Sequence, residues 1–272
     1  MQPLTLPERP AAPSGAARAT RETVLAVRRW TDALVSLRLS RSASFRFTPG
    51  HYARVGLAGA DGMVVRPLSI ASAASAAHLD FLCTLVPGGA FSALAARAAT
   101  GDAAQVERAS FGFLTVDALA PGRDLWLVAS GTGIAPFLSI LQDPDVWRAF
   151  ERIVVVLSVR TAVELVPADE VASYERDPAS APGPAKLTFV PVVTREPGAT
   201  ALASRIPDLL DDGRLEDAAG AKIEAEHARV MTCGNPALAQ AMRQRLSARG
   251  FRPTRRNAPG QMSFENYWTS RS

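Results

Sequence analysis

The sequence predicts two domains, an antiparallel β-barrel followed by an α/β domain with a parallel sheet. Three observations support this fold class. First, the 272 residues exceed the usual size of a single domain. Second, short strand-like runs separated by Pro-Gly and Gly-Gly turns continue to about residue 118, which is typical of an antiparallel barrel or sandwich. Third, apolar strands alternate with helical segments after residue 121, which is typical of a parallel sheet with helices on both faces.

The domain boundaries follow from changes in composition and rhythm. Residues 1–21 are rich in Pro, Ala, Ser and Gly without periodicity, so we expect a mobile tail. The Pro-Gly pair at 121 and 122 separates the two rhythms. We therefore assign residues 22–120 to the barrel domain and residues 121–272 to the α/β domain.

The first domain contains a series of short strand-like runs and one helical interruption. The predicted strands lie at residues 22–27, 34–39, 53–57, 63–69 and 79–86, and the predicted helix lies at residues 91–98. The fourth run contains Arg66 followed by Pro67. Because proline cannot donate to a sheet and an unpaired buried arginine is costly, we expect Arg66 to hold an anion.

The second domain contains four apolar runs that read as buried strands, at residues 124–130, 152–158, 186–193 and 228–233. The first of them leads directly into the turn Gly-Thr-Gly-Ile-Ala-Pro at residues 131–136. Glycines let the backbone approach an anion, and free amides at a following helix can receive a pyrophosphate. Pro136 stands where a nucleotide fingerprint often has its third glycine, so the turn is a variant of that fingerprint, with a purely structural turn as the alternative.

Three arginines follow or lie near the ends of predicted parallel strands. A dinucleotide fold that selects NAD usually presents an acid to the ribose at the end of its second strand, but Arg160 stands there in this chain. Together with Arg195 and Arg205, it could surround a 2′-phosphate with planar donors, which favours NADPH over NADH. Taken alone, each arginine is more typical of a surface residue than of a phosphate ligand.

Bulk properties exclude several other classes of protein. No apolar run approaches the roughly 20 residues needed to cross a bilayer, and no secretory signal pattern is present, so we expect a cytoplasmic protein. The two cysteines cannot hold an iron–sulfur cluster, and the three histidines lack metal-binding spacing. Hydrolase and phosphate-loop motifs are also absent from the sequence. The net charge of +4 comes from scattered arginines, which suits anionic cofactors or an acidic protein partner better than nucleic acid.

Five short motifs occur in an order that resembles the bacterial ferredoxin (flavodoxin) NADP+ reductases. They are Arg-Pro-Leu-Ser at 66–69, Gly-Ala-Phe-Ser at 89–92, Gly-Thr-Gly-Ile-Ala-Pro at 131–136, Thr-Cys-Gly-Asn-Pro at 232–236 and Glu-Asn-Tyr-Trp at 265–268. The resemblance covers about residues 22–268. It implies that the barrel binds FAD and that the α/β domain binds NADP(H).

The resemblance implies a set of FAD-binding residues. In it, Arg66 pairs with the FAD pyrophosphate, Ser69 approaches flavin N5, and the 89–92 segment provides a second contact to the pyrophosphate. The implied FAD residues are Arg66, Pro67, Leu68, Ser69, Gly89, Ala90, Phe91, Ser92, Thr132, Tyr267 and Trp268. Where the family usually has a tyrosine against the isoalloxazine, this chain has Leu68, which loses a stacking contribution of roughly 0.5–1.5 kcal/mol.

The resemblance also implies the residues that meet the nicotinamide. Ser69, Cys233, Glu265 and Tyr267 are the implied catalytic residues, and Tyr267 would cover the flavin until nicotinamide displaces it. The implied NADP residues are Gly131, Gly133, Arg160, Arg195, Arg205, Gly234 and Asn235. The alternatives are a packing role for Cys233 and a final strand anchored by Tyr267 and Trp268.

These implications give a function with two alternatives. NADPH would deliver hydride to flavin N5, and the reduced flavin would pass single electrons to ferredoxin or flavodoxin, which are acidic. The alternatives are a reductase component of an oxygenase or a flavin reductase, and a non-catalytic flavin-binding regulatory protein. We expect a monomer that binds neither nucleic acid nor a membrane.

Overall fold

The computed structural model describes residues 18–266. Its N-terminal part is a six-stranded antiparallel sheet with the strand order β4-β3-β6-β1-β2-β5. The strands are β1 (Ala19–Thr31), β2 (Leu34–Ser40), β3 (Tyr52–Gly59), β4 (Gly62–Ser69), β5 (His78–Thr84) and β6 (Ala103–Phe111). Just beyond β4, an isolated bridge between Ile70 and Phe81 joins the two edges of the sheet. The predicted antiparallel first half is thereby confirmed.

The core of this first sheet comes from the alternation of apolar side chains along its strands. In β2, for example, Val35, Leu37 and Leu39 are fully buried while the residues between them are more exposed. Helix α1 (Ala90–Arg97) covers the same core and contributes Phe91 and Ala95 to it.

The C-terminal part is a five-stranded parallel sheet with the strand order β11-β10-β7-β8-β9. Its strands are β7 (Asp124–Ser130), β8 (Arg152–Val159), β9 (Lys186–Val193), β10 (Ala228–Gly234) and β11 (Met262–Asn266). Its helices are α2 (Ala135–Leu141), α3 (Pro144–Ala149), α4 (Asp169–Arg176), α5 (Ile206–Asp211), α6 (Arg214–Ala219) and α7 (Pro236–Ala248). The short 3₁₀ segments are Val116–Ala118, Gly131–Ile134, Ala162–Ala168 and Pro178–Ser180.

Both faces of the parallel sheet are covered. Along β7, Leu127 joins a buried cluster on one face, and Val128 joins a second cluster on the other. Since helices supply the rest of both clusters, the strands read as continuous apolar runs in the sequence. The predicted α/β half is confirmed.

Two features of the first sheet differ from the sequence-based expectation. β6 was not among the predicted strands, although it lies in the middle of the sheet between β3 and β1. Its run Ala-Ala-Gln-Val-Glu-Arg-Ala-Ser-Phe carries few strand-favouring residues, and only Ala104 and Val106 of it are buried. In addition, β1 begins at Ala19, three residues before the predicted start at residue 22.

The two sheets pack directly against each other. Ala71 and Leu82, which belong to the first sheet and its connection, lie in the same buried cluster as Ile134 of the second half. Across this junction Ser139 Oγ donates to the Ser72 carbonyl oxygen at 2.7 Å, and Gln142 Nε2 donates to the Ala71 carbonyl oxygen at 2.9 Å. Within residues 18–266, no helix has the length and apolar character needed to cross a membrane.

Candidate active site

The candidate site lies where the carboxyl ends of the parallel strands meet the first sheet. The turn after β7 reaches β5, because Thr132 Oγ1 lies 3.3 Å from Thr84 Oγ1. A Cβ placed on Gly112 would lie 3.5 Å both from Glu265 Oε2 on β11 and from Tyr52 Cδ1 on β3. The junction therefore collects residues from both halves of the chain.

Two polar side-chain atoms are buried at this junction without a hydrogen-bond partner within residues 18–266. They are Ser69 Oγ, at the end of β4, and Glu265 Oε2, on β11. Ser69 pairs directly with Tyr52 in the β3–β4 ladder, and Tyr52 lies beside the same glycine as Glu265. Because a buried polar atom without a partner costs free energy, this pair marks a place where a ligand with hydrogen-bonding atoms would be stabilising.

Burial also changes the acidity of Glu265. Removing the carboxylate from water raises the pKa of Glu265 to about 7. At neutral pH the residue therefore exists in both protonation states and can hold or release a proton at the junction.

The turn after β7 is shaped by its neighbour strand. A Cβ on Gly133 would clash with the carbonyl oxygen of Cys233, and a Cβ on Gly234 would clash with Ser130 Oγ. Cys233 itself is fully buried at the end of β10. The interpretation of Gly133 as a residue that lets an anion approach is therefore incomplete. A glycine is needed at this position in any case, because the Cys233 backbone occupies the space that a side chain would fill.

Asn235 performs a structural task that the sequence did not suggest. It is the N-cap of α7, where its Oδ1 accepts from the Leu238 backbone N–H at 2.9 Å. Its Nδ2 donates to Ser130 Oγ at 3.1 Å. These two bonds join the end of β10 to the end of β7.

Arg66 is exposed, so the expectation of a buried arginine is wrong. Its Nη1 donates to the neighbouring Val65 carbonyl oxygen at 2.8 Å. The reason is that β4 is an edge strand. It pairs with β3, where Val55 lies opposite Arg66, and no further strand covers the other side of β4. Pro67 next to it is also exposed, whereas Leu68 packs partly against the core of the first sheet.

The segment 89–92 begins α1, with Gly89 as its N-cap. Ser92 Oγ accepts from the Val86 backbone N–H at 2.9 Å, which fixes the turn before the helix. The Phe91 side chain is buried in the core, so only its backbone can face a ligand, whereas Ala90 is exposed.

The three predicted nucleotide arginines all lie on the carboxyl-end side of the parallel sheet. Arg160 directly follows β8, and its carbonyl oxygen accepts from the backbone N–H of Arg195 at 2.8 Å. Arg205 is the exposed N-cap of α5. The structure thus brings Arg160 and Arg195 side by side and places Arg205 at the start of the next helix.

Two of the predicted site residues, Tyr267 and Trp268, lie outside the described residues. Other residues of the site were not found by the sequence reasoning, namely Tyr52, Ser130 and Glu164. Tyr52 and Ser130 become significant only through strand pairing and through the close approach of β7 and β10. Glu164 pairs with Arg160, and its position four residues later is the one signal that the sequence offered.

Comparison with known proteins gives similar chains of nearly the same length. Residues 127–244 match the family described as the oxidoreductase NAD-binding domain. The chain is 37% identical to ferredoxin–NADP reductase A of Sorangium cellulosum, with 90% of this chain and 89% of that protein covered. It is 34% identical to ferredoxin–NADP reductase of Pseudomonas aeruginosa, with 90% and 95% covered.

A solved structure resembles the whole fold. It is the crystal structure of a ferredoxin NADP+ reductase from Neisseria gonorrhoeae with bound FAD and NADP. The two chains superpose with a TM-score of 0.86 at 34% identity, over 93% of this chain and 100% of the other. The similarity therefore includes both sheets and the junction between them.

Proposed function

The chain belongs to the ferredoxin–NADP reductase family, and on that premise we propose which of its residues bind the cofactors and support electron transfer. The protein is an FAD-dependent oxidoreductase that uses NADP(H). We assign FAD binding to residues 22–120, extended at the start by the first residues of β1, and NADP(H) binding to residues 121–272.

The observation that carries this assignment is the pair of buried polar atoms at the junction. Ser69 Oγ and Glu265 Oε2 come from different halves of the chain, and neither has a partner within the described part of the chain. A flat heterocycle with ring nitrogens and carbonyl groups supplies the donors and acceptors that these atoms lack. The residues present therefore fit FAD at this place.

Arg66 and the start of α1 would hold the pyrophosphate of FAD. α1 packs against β4, so the exposed guanidinium of Arg66 and the Gly89–Ser92 turn belong to the same part of the first sheet. A planar guanidinium matches a phosphate with two parallel hydrogen bonds. Nη1 of Arg66 donates to the Val65 carbonyl oxygen, and the exposed Nε and Nη2 groups would donate to the phosphate. Leu68, Thr132, Tyr267 and Trp268 complete the proposed FAD contacts, together with Pro67.

The nucleotide NADP(H) would lie along the carboxyl ends of β7, β8, β9 and β10. Ligands in open α/β folds bind outside these strand ends. The turn with Gly131 and Gly133, and the Gly234–Asn235 turn, would face the nucleotide backbone. Arg160, Arg195 and Arg205 would surround the 2′-phosphate with planar cationic donors.

When bound, FAD accepts a hydride from NADPH and passes electrons singly to a carrier. The residues of the chain would position the two cofactors and exclude water from the junction. Cys233 is fully buried, and its small side chain would allow a nicotinamide ring to approach the end of β10 more closely than a large one would. Ser69 would orient the cofactor, and Glu265, with a pKa of about 7, would hold or release a proton at the junction.

We propose that the partner is a ferredoxin or a flavodoxin, the two carriers that the names of the relatives give. Both carriers are acidic, and the net charge of +4 would steer their approach in a salt-dependent way. We also propose that the protein acts as a monomer in the cytoplasm, where NADPH and these carriers meet.

A rapid-mixing experiment tests this function. The FAD-containing protein is reduced with NADPH and then mixed with ferredoxin, flavodoxin or free flavin at two salt concentrations. The proposal expects fast reduction of one of the two carrier proteins, slowed at high salt. Fast reduction of free flavin together with inert carriers would contradict it and favour a flavin reductase.

A further inference from the structure

Arg160 is held by a carboxylate from its own connection. Glu164 lies in the 3₁₀ segment Ala162–Ala168 that follows β8. Its Oε1 accepts from Arg160 Nε at 3.0 Å and from Nη2 at 2.7 Å, and its Oε2 accepts from the Arg160 backbone N–H at 2.9 Å. One carboxylate thus fixes both the backbone and the guanidinium of this arginine.

This pairing leaves part of the guanidinium available. An arginine has five N–H groups in a planar fork. Glu164 accepts hydrogen bonds from the Nε and Nη2 groups on one edge of that fork. The Nη1 group and the outer N–H of Nη2 point away from Glu164. The backbone N–H of Arg195 donates to the Arg160 carbonyl oxygen at 2.8 Å, so the two arginines are neighbours at the ends of adjacent strands.

Glu164 is itself firmly placed. Its side chain is only 14% exposed, whereas that of Arg160 is 50% exposed. If Glu164 moved away, a largely buried carboxylate would lose its donors and the Arg160 backbone N–H would lose its acceptor. The carboxylate therefore acts as a fixed support for the arginine rather than as a competitor that an incoming anion displaces.

We propose that Glu164 is a positioning residue for the preference for NADPH over NADH: it holds the Arg160 guanidinium with its available edge turned to the 2′-phosphate. This inference rests on the proposed role of Arg160 in nucleotide binding. Its physical basis is preorganisation, because an arginine fixed before binding loses less rotamer freedom when the phosphate arrives.

A nearby carboxylate provides a matched control. Glu196 lies in the connection after β9, and its Oε2 accepts from the Ala162 backbone N–H at 2.8 Å without holding Arg160. Glu164→Gln and Glu196→Gln remove the same charge from the same region. Only the first disturbs the support of Arg160, because both Glu164 oxygens accept from Arg160 and the NH2 of the new amide must face one of these donors. A purely electrostatic role would make both variants bind anions more tightly.

The test measures binding of 2′-AMP and 5′-AMP by calorimetry to wild type, Glu164→Gln, Glu196→Gln and Arg160→Ala. Circular dichroism and melting temperature report on folding. The Kd of Glu164→Gln for 2′-AMP should rise by about three- to tenfold, as for a weakened charge-assisted bond, with the Kd for 5′-AMP unchanged. In turnover, the change should fall on KM for NADPH rather than on KM for NADH. Glu196→Gln should bind 2′-AMP at least as tightly as wild type.

The possible failures are distinct. If Glu164→Gln binds 2′-AMP as tightly as wild type or more tightly, or weakens both nucleotides equally, the positioning role is refuted. If Arg160→Ala also leaves the Kd for 2′-AMP unchanged, the proposed nucleotide role of Arg160 fails as well. If Arg160→Ala weakens 2′-AMP binding while Glu164→Gln does not, the proposed function stands and only this inference is overturned.

Discussion

At the scale of single residues, Glu265 shows most clearly how burial produces chemical function. A carboxyl group in water has lost its proton well below neutral pH, but removal from water penalises the charged form. Burial beside Gly112 and Tyr52 raises the pKa of Glu265 to about 7. The residue is thereby able to exchange a proton under the conditions in which the protein works.

The same shift predicts how stability depends on pH. Between the ordinary pKa of 4.5 and the folded-state pKa of about 7, the folded protein keeps a proton that the unfolded chain has released. The free energy of unfolding therefore falls as pH rises through this window. Glu265→Gln lacks this group, so wild type should lose about 3 kcal/mol relative to the variant over that range.

The measurement is denaturant unfolding of the FAD-free protein at several pH values. Asp61→Asn, at an exposed position in the β3–β4 turn, serves as the control and should follow wild type. A constant difference between Glu265→Gln and wild type across the whole pH range would show that the carboxyl has an ordinary pKa.

Leu68 offers a second prediction at this scale. If its side chain covers the flavin, Leu68→Tyr should change the visible absorption spectrum of bound FAD, because an aromatic ring would then stack on the isoalloxazine. Leu25→Tyr, at an exposed position on β1, is the control and should leave the spectrum as it is. An unaltered spectrum in Leu68→Tyr would place residue 68 away from the ring.

At the scale of secondary structure elements, the sequence was informative where strands are buried on both faces. The predicted strands at 124–130 and 186–193 coincide with β7 and β9, because their apolar runs are continuous and end at clear breaks. β6 escaped prediction, since alanine and charged residues fill a strand whose pairing comes from distant neighbours. Local composition cannot report such pairing.

The same limit applied to the candidate site. The grouping of Ser69, Cys233 and Glu265 came from the resemblance to a family, because the predicted strands ended at residue 233 and did not include the strand that carries Glu265. The exposure of Arg66 could not be predicted, since it depends on β4 being an edge strand. The need for a glycine at position 133 could not be predicted either, because it arises from the backbone of Cys233, a hundred residues away in sequence.

The start of α7 provides a prediction at this scale. Asn235→Ala removes the N-cap bond to Leu238 and the bond to Ser130 together, so the free energy of unfolding should fall by about 1–2 kcal/mol. Asn235→Asp keeps the acceptor for the Leu238 N–H and should lose less. Denaturant unfolding compares them, and equal losses in the two variants would argue against the capping role.

At the scale of the whole molecule, function depends on how the two sheets are held together. The connecting segment, residues 112–123, runs from the end of β6 to the start of β7. Arg229 is 6% exposed at the start of β10, and its Nε donates to the Ala120 carbonyl oxygen at 2.8 Å. Its Nη2 also donates to the Pro121 carbonyl oxygen. A buried cation surrounded by carbonyl oxygens thus fixes the connecting segment to the second sheet.

Removing this cation should weaken the whole structure. Arg229→Met leaves several carbonyl oxygens without a donor, and the free energy of unfolding should fall by about 2–4 kcal/mol. Arg252→Met, at an exposed position after α7, is the matched control and should change little. Thermal and denaturant unfolding measure the free energy of unfolding of both variants. A decrease for Arg229→Met no larger than that for Arg252→Met would mean that Arg229 does not hold the segment.

The central claim is that a flavin bound at the junction of the two sheets receives electrons from NADPH. The most direct test is an anaerobic titration of the purified protein with NADPH, followed by its visible absorption. We expect a yellow protein whose flavin absorption is bleached by NADPH, and far more slowly by NADH. A colourless protein that takes up no added FAD, or a yellow protein that NADPH leaves unbleached, would contradict the claim.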